Sequence, residues 1–313
     1  EPFGEYNIPV QMCMTPSKMY PVALKTENAK FIRTGHDFRM EEDLYEIYQD
    51  FYNSVLAWAV GLYPCFDAYF TSEESYEEMR KIDGDFVEYY YSGDVKPELT
   101  AHALSCGPNY ISDGIGMADS ELVQKICHEN GDLIHPDRPA IPIKRCYFED
   151  PLDGDEPLTV YTTMGNQTLV GVFNLSEDEQ EYSIEKEEVG ISPDTGCLDY
   201  KAYEGGWNKA SEEITGKLSP GEVELHILSP IRNRTAVIGD TEKLFSPYVT
   251  KEMKHSKDGI EVTVETRKET SVMFYSDGVE NVLVDGKDAS WSYENKTLDV
   301  EVEPGRHTIR ILK

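Results

Sequence analysis

The stretch FIRTGHDFRM, residues 31–40, places Arg33, His36 and Asp37 directly behind a short apolar run. A carboxyl group that can give and take a proton, beside a guanidinium that can hold it, is suited to general acid–base work on a polar substrate. Three other runs end in a similar way. Cys13 lies near the end of NIPVQMCM (7–14), Asp67 lies within YPCFDAYF (63–70), and Ser112 with Asp113 ends GPNYISD (107–113). Carboxylates bind hydroxyls and aromatic faces stack on pyranose rings. Acids beside Phe38, Phe66, Tyr69 and Tyr110 therefore suit a sugar. Each residue also has a plainer reading. An Asp at a strand end is often a helix cap or a loop-ordering group, Asp37 can serve only as an ion-pair partner of Arg33 or Arg39, and His36 can be a loop donor. Asp67, inside an aromatic run, is harder to explain that way, because a buried carboxylate needs a partner and a ligand hydroxyl is one candidate.

The elements that must carry these residues follow from the hydrophobic periods. NIPVQMCM, AKFIRTG (29–35), YPCFDAYF and GPNYISD read as four buried strands. Between them, residues 40–61 repeat apolar positions Leu44, Ile47, Tyr48, Phe51, Val55 and Trp58 at three- and four-residue steps, which predicts an amphipathic helix ended by Gly61 and Pro64. KPELTAHALS (96–105) and ADSELVQKICHEN (118–130) predict two more helices. Strands alternating with helices imply parallel βα units, and polar groups at the same end of each strand match the active-site face of a (β/α)8 barrel. Beyond the Pro-rich HPDRPAIPIK (135–144) the period changes to many short alternating runs with turn residues between them, which predicts antiparallel β-sandwich material. The expected fold class is therefore α/β plus all-β. The division is residues 1–135, 136–230 and 231–313, the last a second β-rich unit or a continuation of the sandwich.

Composition narrows the partners. The net charge of −30 disfavours nucleic acid and acidic membrane surfaces, which need clustered Lys and Arg. No run reaches the roughly 18 apolar residues of a membrane span. The sequence contains no G-x-G-x-x-G, Walker, H-E-x-x-H or G-x-S-x-G motif, so neither a cofactor nor a metal is expected. Six scattered Cys without metal spacing read as reduced thiols, which favours a cytoplasmic setting. The chain begins EPFGEYNIPV, without Met, and four βα units do not close a barrel, so it reads as part of something longer.

Five stretches in order, QMCMTPSKMY, IRTGHDF, NSVLAWAVGLYPCFDAYFTS, ALSCGPNYISDGIG and PDRPAIPIKRCYFEDPL, resemble the raffinose synthase, seed-imbibition and archaeal α-galactosidase branch of glycoside hydrolase family 36. The resemblance is closest over residues 7–175. It implies the C-terminal half of a (β/α)8 barrel, about strands five to eight, followed by a β-sandwich, and a retaining enzyme acting on α-galactosides. It implies that Asp37 is the general acid/base, that Arg33 holds sugar hydroxyls, and that Phe66, Asp67 and Asp113 line the sugar site with Cys13 at its rim. His36 stands where the family often has an acidic or small polar residue. A retaining site needs a second carboxylate about 5–5.5 Å away as nucleophile. The resemblance places that group on strand four, before residue 1, so this chain alone is expected to be inactive. Three other readings stay open: a galactosyltransferase of the raffinose synthase kind, a different α-glycosidase on the same plan, and a non-catalytic carbohydrate-binding remnant.

Overall fold

The computed structural model describes residues 6, 8–13, 17–37, 43–82, 94–256 and 259–313. Phe38 and the first three residues of the long predicted helix, 40–42, lie outside the described residues.

Three short strands, β1 (Val10–Met12), β2 (Ala29–Arg33) and β3 (Tyr63–Cys65), form a parallel sheet in the order β1-β2-β3. Successive strand side chains point to opposite faces. Ile32 is fully buried and packs with Tyr20, Ala23, Ala57 and Leu62, with Met12 against the same cluster. Its neighbours Phe31 and Arg33 therefore face the other way. Helix α1 (Tyr20–Ala23) and helix α2 (Asp43–Ala59) supply the cover on the Ile32 side.

The single strand predicted over 63–70 is two. After β3 the chain leaves the ladder at Phe66 and Asp67, then resumes as β4 (Ala68–Tyr69), which pairs in parallel with β5 (Tyr110–Ile111). Phe66 turns into the core and meets Phe51 edge-on at 5.5 Å, while Asp67 turns to Arg33. A short helix, α3 (Glu73–Ile82), absent from the sequence reading, separates them from helix α4 (Lys96–Leu104). The helix predicted over 118–130 is only α5 (Ser120–Gln124). The Asp119 carboxylate caps its start by accepting from the N–H groups of Glu121 and Leu122. Its end is fixed by Lys243, whose Nζ donates to the carbonyls of Gln124 and Cys127 at 2.8 Å each, and by a turn through Gly131 at φ 85°.

The burial face of α2 also differs from the expected stripe. Val55 is half-buried and Trp58 exposed, whereas Glu46, Asp50 and Ser54 are buried with Ile47, Phe51 and Ala57. Asp50 meets the Thr34 hydroxyl in the turn after β2, and Ser54 bonds back to the Asp50 carbonyl.

Beyond residue 140 the chain is antiparallel. Strands β6 (Ile141–Pro142), β7 (Leu158–Met164), β8 (Gln167–Phe173), β9 (Gln180–Glu185), β10 (Cys197–Lys201), β11 (Trp207–Lys209), β12 (Glu213–Leu218) and β13 (Val223–Pro230) form a six-stranded sheet ordered β11-β10-β13-β8-β7-β6 and a pair β12-β9. Every residue of β8 is buried, because α2 and α4 lie on this sheet. Phe51 of α2 meets Phe173 of β8 at 5.5 Å, and one apolar cluster runs from Ile47 and Leu104 through Val170 to Leu225. The remaining strands form two sheets around a second core of Val262, Phe274, Val300 and Ile309. One holds Thr235–Gly239, Thr270–Ser276, Thr297–Val302 and Trp291–Glu294. The other holds Thr250–Ser256, Gly259–Thr266, Gly305–Leu312, Asn281–Val284 and Lys287–Asp288. No helix among the described residues is long and apolar enough to cross a membrane.

Candidate active site

Arg33 is the last residue of β2 and is only 8% exposed. Its guanidinium forks between two carboxylates on different segments. Nη2 donates to Asp37 Oδ1 at 2.5 Å, and Nη1 lies 3.0 Å from Asp67 Oδ1. Asp37 is 65% exposed and Asp67 25% exposed, so the arginine is buried while its partners reach outward. Burial opposes the Arg33 charge, but the bond from Asp37 and the nearby Asp67 outweigh it and hold the guanidinium above its ordinary value. Its Nε is buried without a partner among the described residues. The planar five-donor fork is the reason an arginine serves here, since a lysine cannot hold two carboxylates in one plane.

The turn that carries Asp37 is held from behind. The Thr34 hydroxyl donates to Asp50 Oδ1 at 2.6 Å, and Asn53 Nδ2 donates to the Thr34 carbonyl at 2.8 Å. Gly35 lies flat on the Asp50 carboxyl group: a Cβ there would sit 2.7 Å from Asp50 Oδ1. The glycine in RTGHD is thus required by close approach. Gly107 has a similar cause, because its Cβ would meet the Pro64 carbonyl oxygen at 2.0 Å, where the chain before β5 passes β3.

Phe66 is 1% exposed and acts as a wall of the core rather than an open face. Cys13 follows β1 and is exposed, and His36 is exposed on the turn. Asp113 lies apart from Arg33 in its contacts. Its two oxygens accept from the Thr71 N–H and hydroxyl and from the Ser72 N–H and hydroxyl, at 2.7–3.3 Å, so the carboxylate braces the turn after β4. Across the open face of the sheet, the Tyr110 hydroxyl donates to Gln11 Oε1 at 2.8 Å, and Gln11 Nε2 donates to the Cys65 thiol at 3.4 Å. Burial, and the nearby Asp50 next, push that thiol up to about 12.

A second set of groups stands behind Asp67. His102 of α4 packs its ring on Tyr69 at 4.2 Å and on Phe66 at 5.3 Å. Glu98, one turn earlier, reaches His102 Nε2 at 3.5 Å. Burial pushes Glu98 up to about 8 and lowers His102 to about 3, so both are uncharged near neutrality. Among the described residues, His102 Nδ1, Glu98 Oε1 and Tyr69 Oη are buried without partners.

Sequence reasoning missed Asp50, Asn53, Glu98, His102 and Gln11. The available signal was a polar residue inside the buried stripe of a helix, at position 50 between Ile47 and Phe51. Among the described residues, no group of three or more His, Cys, Asp or Glu is placed to hold a metal.

Residues 80–192 match the family described as raffinose synthase or seed imbibition protein Sip1. A galactinol–sucrose galactosyltransferase of Oryza sativa subsp. japonica is 33% identical over 75 residues, 24% of this chain and 10% of that protein. One of Pisum sativum is 24% identical over 251 residues, 68% of this chain and 31% of that protein. Over residues 80–192 the chain is therefore similar to the raffinose synthase family. It spans between a tenth and a third of the length of these relatives. Among solved structures, a GH27 β-L-arabinopyranosidase from Geobacillus stearothermophilus superposes with a TM-score of 0.53 at 16% identity, over 70% of this chain and 48% of that one, which is a likeness of fold. The matched stretch carries Glu98, His102, Tyr110 and Asp113, while Arg33, Asp37 and Asp67 precede it.

Proposed function

We propose that the chain is the C-terminal part of an enzyme that processes α-galactosides, with Asp37 as its general acid/base. The observation that carries this reading is the buried Arg33 guanidinium, which holds an exposed Asp37 at the C-terminal end of one parallel strand and Asp67 just beyond the next. That is where a barrel enzyme gathers its working groups. In this reading β1 to β5 and their helices are the second half of a (β/α)8 barrel. The face bearing Phe31, Tyr63 and Tyr110 is covered by the preceding strands. Asp37 protonates the departing glycosidic oxygen, then removes the proton from the incoming hydroxyl. Arg33 orients that carboxyl group, and Asp67 meets sugar hydroxyls. Asp113 keeps the strand-end turn in shape. The nucleophile comes from a strand upstream, about 5–5.5 Å from Asp37, as retention requires.

The relatives named as galactinol–sucrose galactosyltransferases support transfer to a sugar hydroxyl over transfer to water. The test uses the full-length protein with galactinol as donor, with and without sucrose, and an aryl α-galactoside beside other aryl α-glycosides. A new trisaccharide identifies a transferase, and free galactose alone identifies a hydrolase. Asp37→Asn is expected to lower kcat by about 10²- to 10⁴-fold. Wild-type rates in that variant would remove Asp37 from the chemistry. Binding of sugar without any turnover would leave a carbohydrate-binding protein, and preference for another glycoside would replace galactose.

A further inference from the structure

We propose that Asp50 and Asn53 of α2 are positioning residues for the Arg33–Asp37 turn, setting from behind the geometry in which Arg33 meets Asp37. The inference rests on the reading of Asp37 as acid/base. Neither residue touches the open side of the sheet where substrate would lie. Asp50 is 3% exposed, and its Oδ1 takes the Thr34 hydroxyl at 2.6 Å. Asn53, on the same side of the helix, takes the Thr34 carbonyl at 2.8 Å. The two grips fix both side chain and backbone of Thr34, the residue directly after Arg33. Gly35 then has nowhere to move, because the Asp50 carboxyl group fills the space of a Cβ. The Thr34 N–H closes the set by donating to the Cys65 carbonyl at 3.0 Å, which ties the turn to β3 and so to the Asp67 segment. The direction in which the chain leaves β2, and with it the reach of Asp37 back to Arg33, is determined by α2.

A carboxyl group is an unusual choice for a buried clamp, since an amide could also accept the Thr34 hydroxyl. Its surroundings explain why it can serve. Burial pushes Asp50 well above the usual carboxyl range. The Thr34 bond opposes that shift, the facing Glu98 and Asp67 carboxyl groups add to it, and Arg33 opposes it. The other titratable groups facing it, Tyr20 and Cys65, are both held uncharged by burial. Burial thus disfavours the charged form of the clamp, and the proposal assigns its effect to shape rather than charge.

Three variants of the full-length enzyme test this, each with kcat, KM and the thermal midpoint measured beside Asp37→Asn. Asp50→Asn keeps the shape and an acceptor, and is expected to stay within about threefold of the wild-type kcat. Asp50→Leu removes the acceptor, and Gly35→Ala forces the carboxyl group away. Both are expected to lower kcat by about 100-fold, the usual cost of a misplacement near 1 Å, with KM little changed. A kcat in Asp50→Asn as low as in Asp50→Leu would mean the charge itself is required, and would overturn the positioning role. Loss that tracks only the folded fraction, or full activity in Asp50→Leu, would overturn it too. Should Asp50→Leu fail to fold, Gly35→Ala combined with Asp50→Ser, which restores room, decides. Recovery of kcat over Gly35→Ala supports the clamp, and no recovery rejects it. A harmless Asp37→Asn would instead sink the acid/base reading on which the inference stands.

Discussion

Three carboxyl groups, Asp37, Asp50 and Asp67, lie around the guanidinium of Arg33, and Glu98 faces Asp50. Burial pushes both of the deepest carboxyls, Asp50 and Glu98, upward and so disfavours their charged forms. This has a consequence for stability. Glu98 is raised in the folded chain to about 8, so its contribution is full below the unfolded carboxyl range near 4.5 and is lost as pH rises through about 8. Glu98→Gln, which fixes the uncharged form, is expected to remove that loss. Thermal midpoints from pH 6 to 9 should fall for the wild type and stay flatter for the variant, and parallel curves would show that Glu98 already ionises freely. The Arg33, Asp37 and Asp67 set was legible in the sequence because turn and strand-end acids stand out from apolar runs. Asp50 and Glu98 were not, because a carboxyl inside a helix reads as a solvated face until a buried partner such as Thr34 is known.

Among the elements, β13 carries a charged group deep in the antiparallel sheet. His226 is fully buried, with Nδ1 at 2.9 Å from Asp199 Oδ1 on β10 and Nε2 at 3.2 Å from Glu224. Tyr182 of β9 also bonds both His226 and Glu224. Burial alone would lower the imidazole, but Asp199 and Glu224 raise it to about 9. Stability from this group is therefore full below the unfolded value near 6.5 and is lost as pH rises through about 9. His226→Gln leaves Asp199 without the imidazolium and Glu224 with Lys201 as its cation, and is expected to cost about 3–5 kcal/mol near neutrality. Denaturant unfolding should show the gap between variant and wild type narrowing above pH 9, and a constant gap would mean that packing, not charge, is lost. The sheet itself was legible as alternating runs. The clearest errors of element came where side chains overrule period: Asp67 breaks a strand to reach Arg33, and Lys243 takes the Gln124 carbonyl at the end of α5.

Over the whole molecule, 59 acidic side chains face 29 basic ones. Exposed pairs such as Lys217 with Glu179 and Lys268 with Glu242 offset little of this, since pairs held in water gain little and salt screens them. Long-range repulsion outweighs them, so raising ionic strength from about 0.01 to 0.15 M is expected to raise the thermal midpoint by a few degrees. A fall would show that the ion pairs dominate instead. The acidic excess was plain from composition, whereas the shared core joining α2 and α4 to β8 was not, because packing between distant runs leaves no mark in either run alone. The link from Gln11 to Tyr110 reaches across 99 residues of sequence, from the first parallel strand to the last described one. Like a bowstring, it ties the first of the parallel strands to the last, so that each constrains the other.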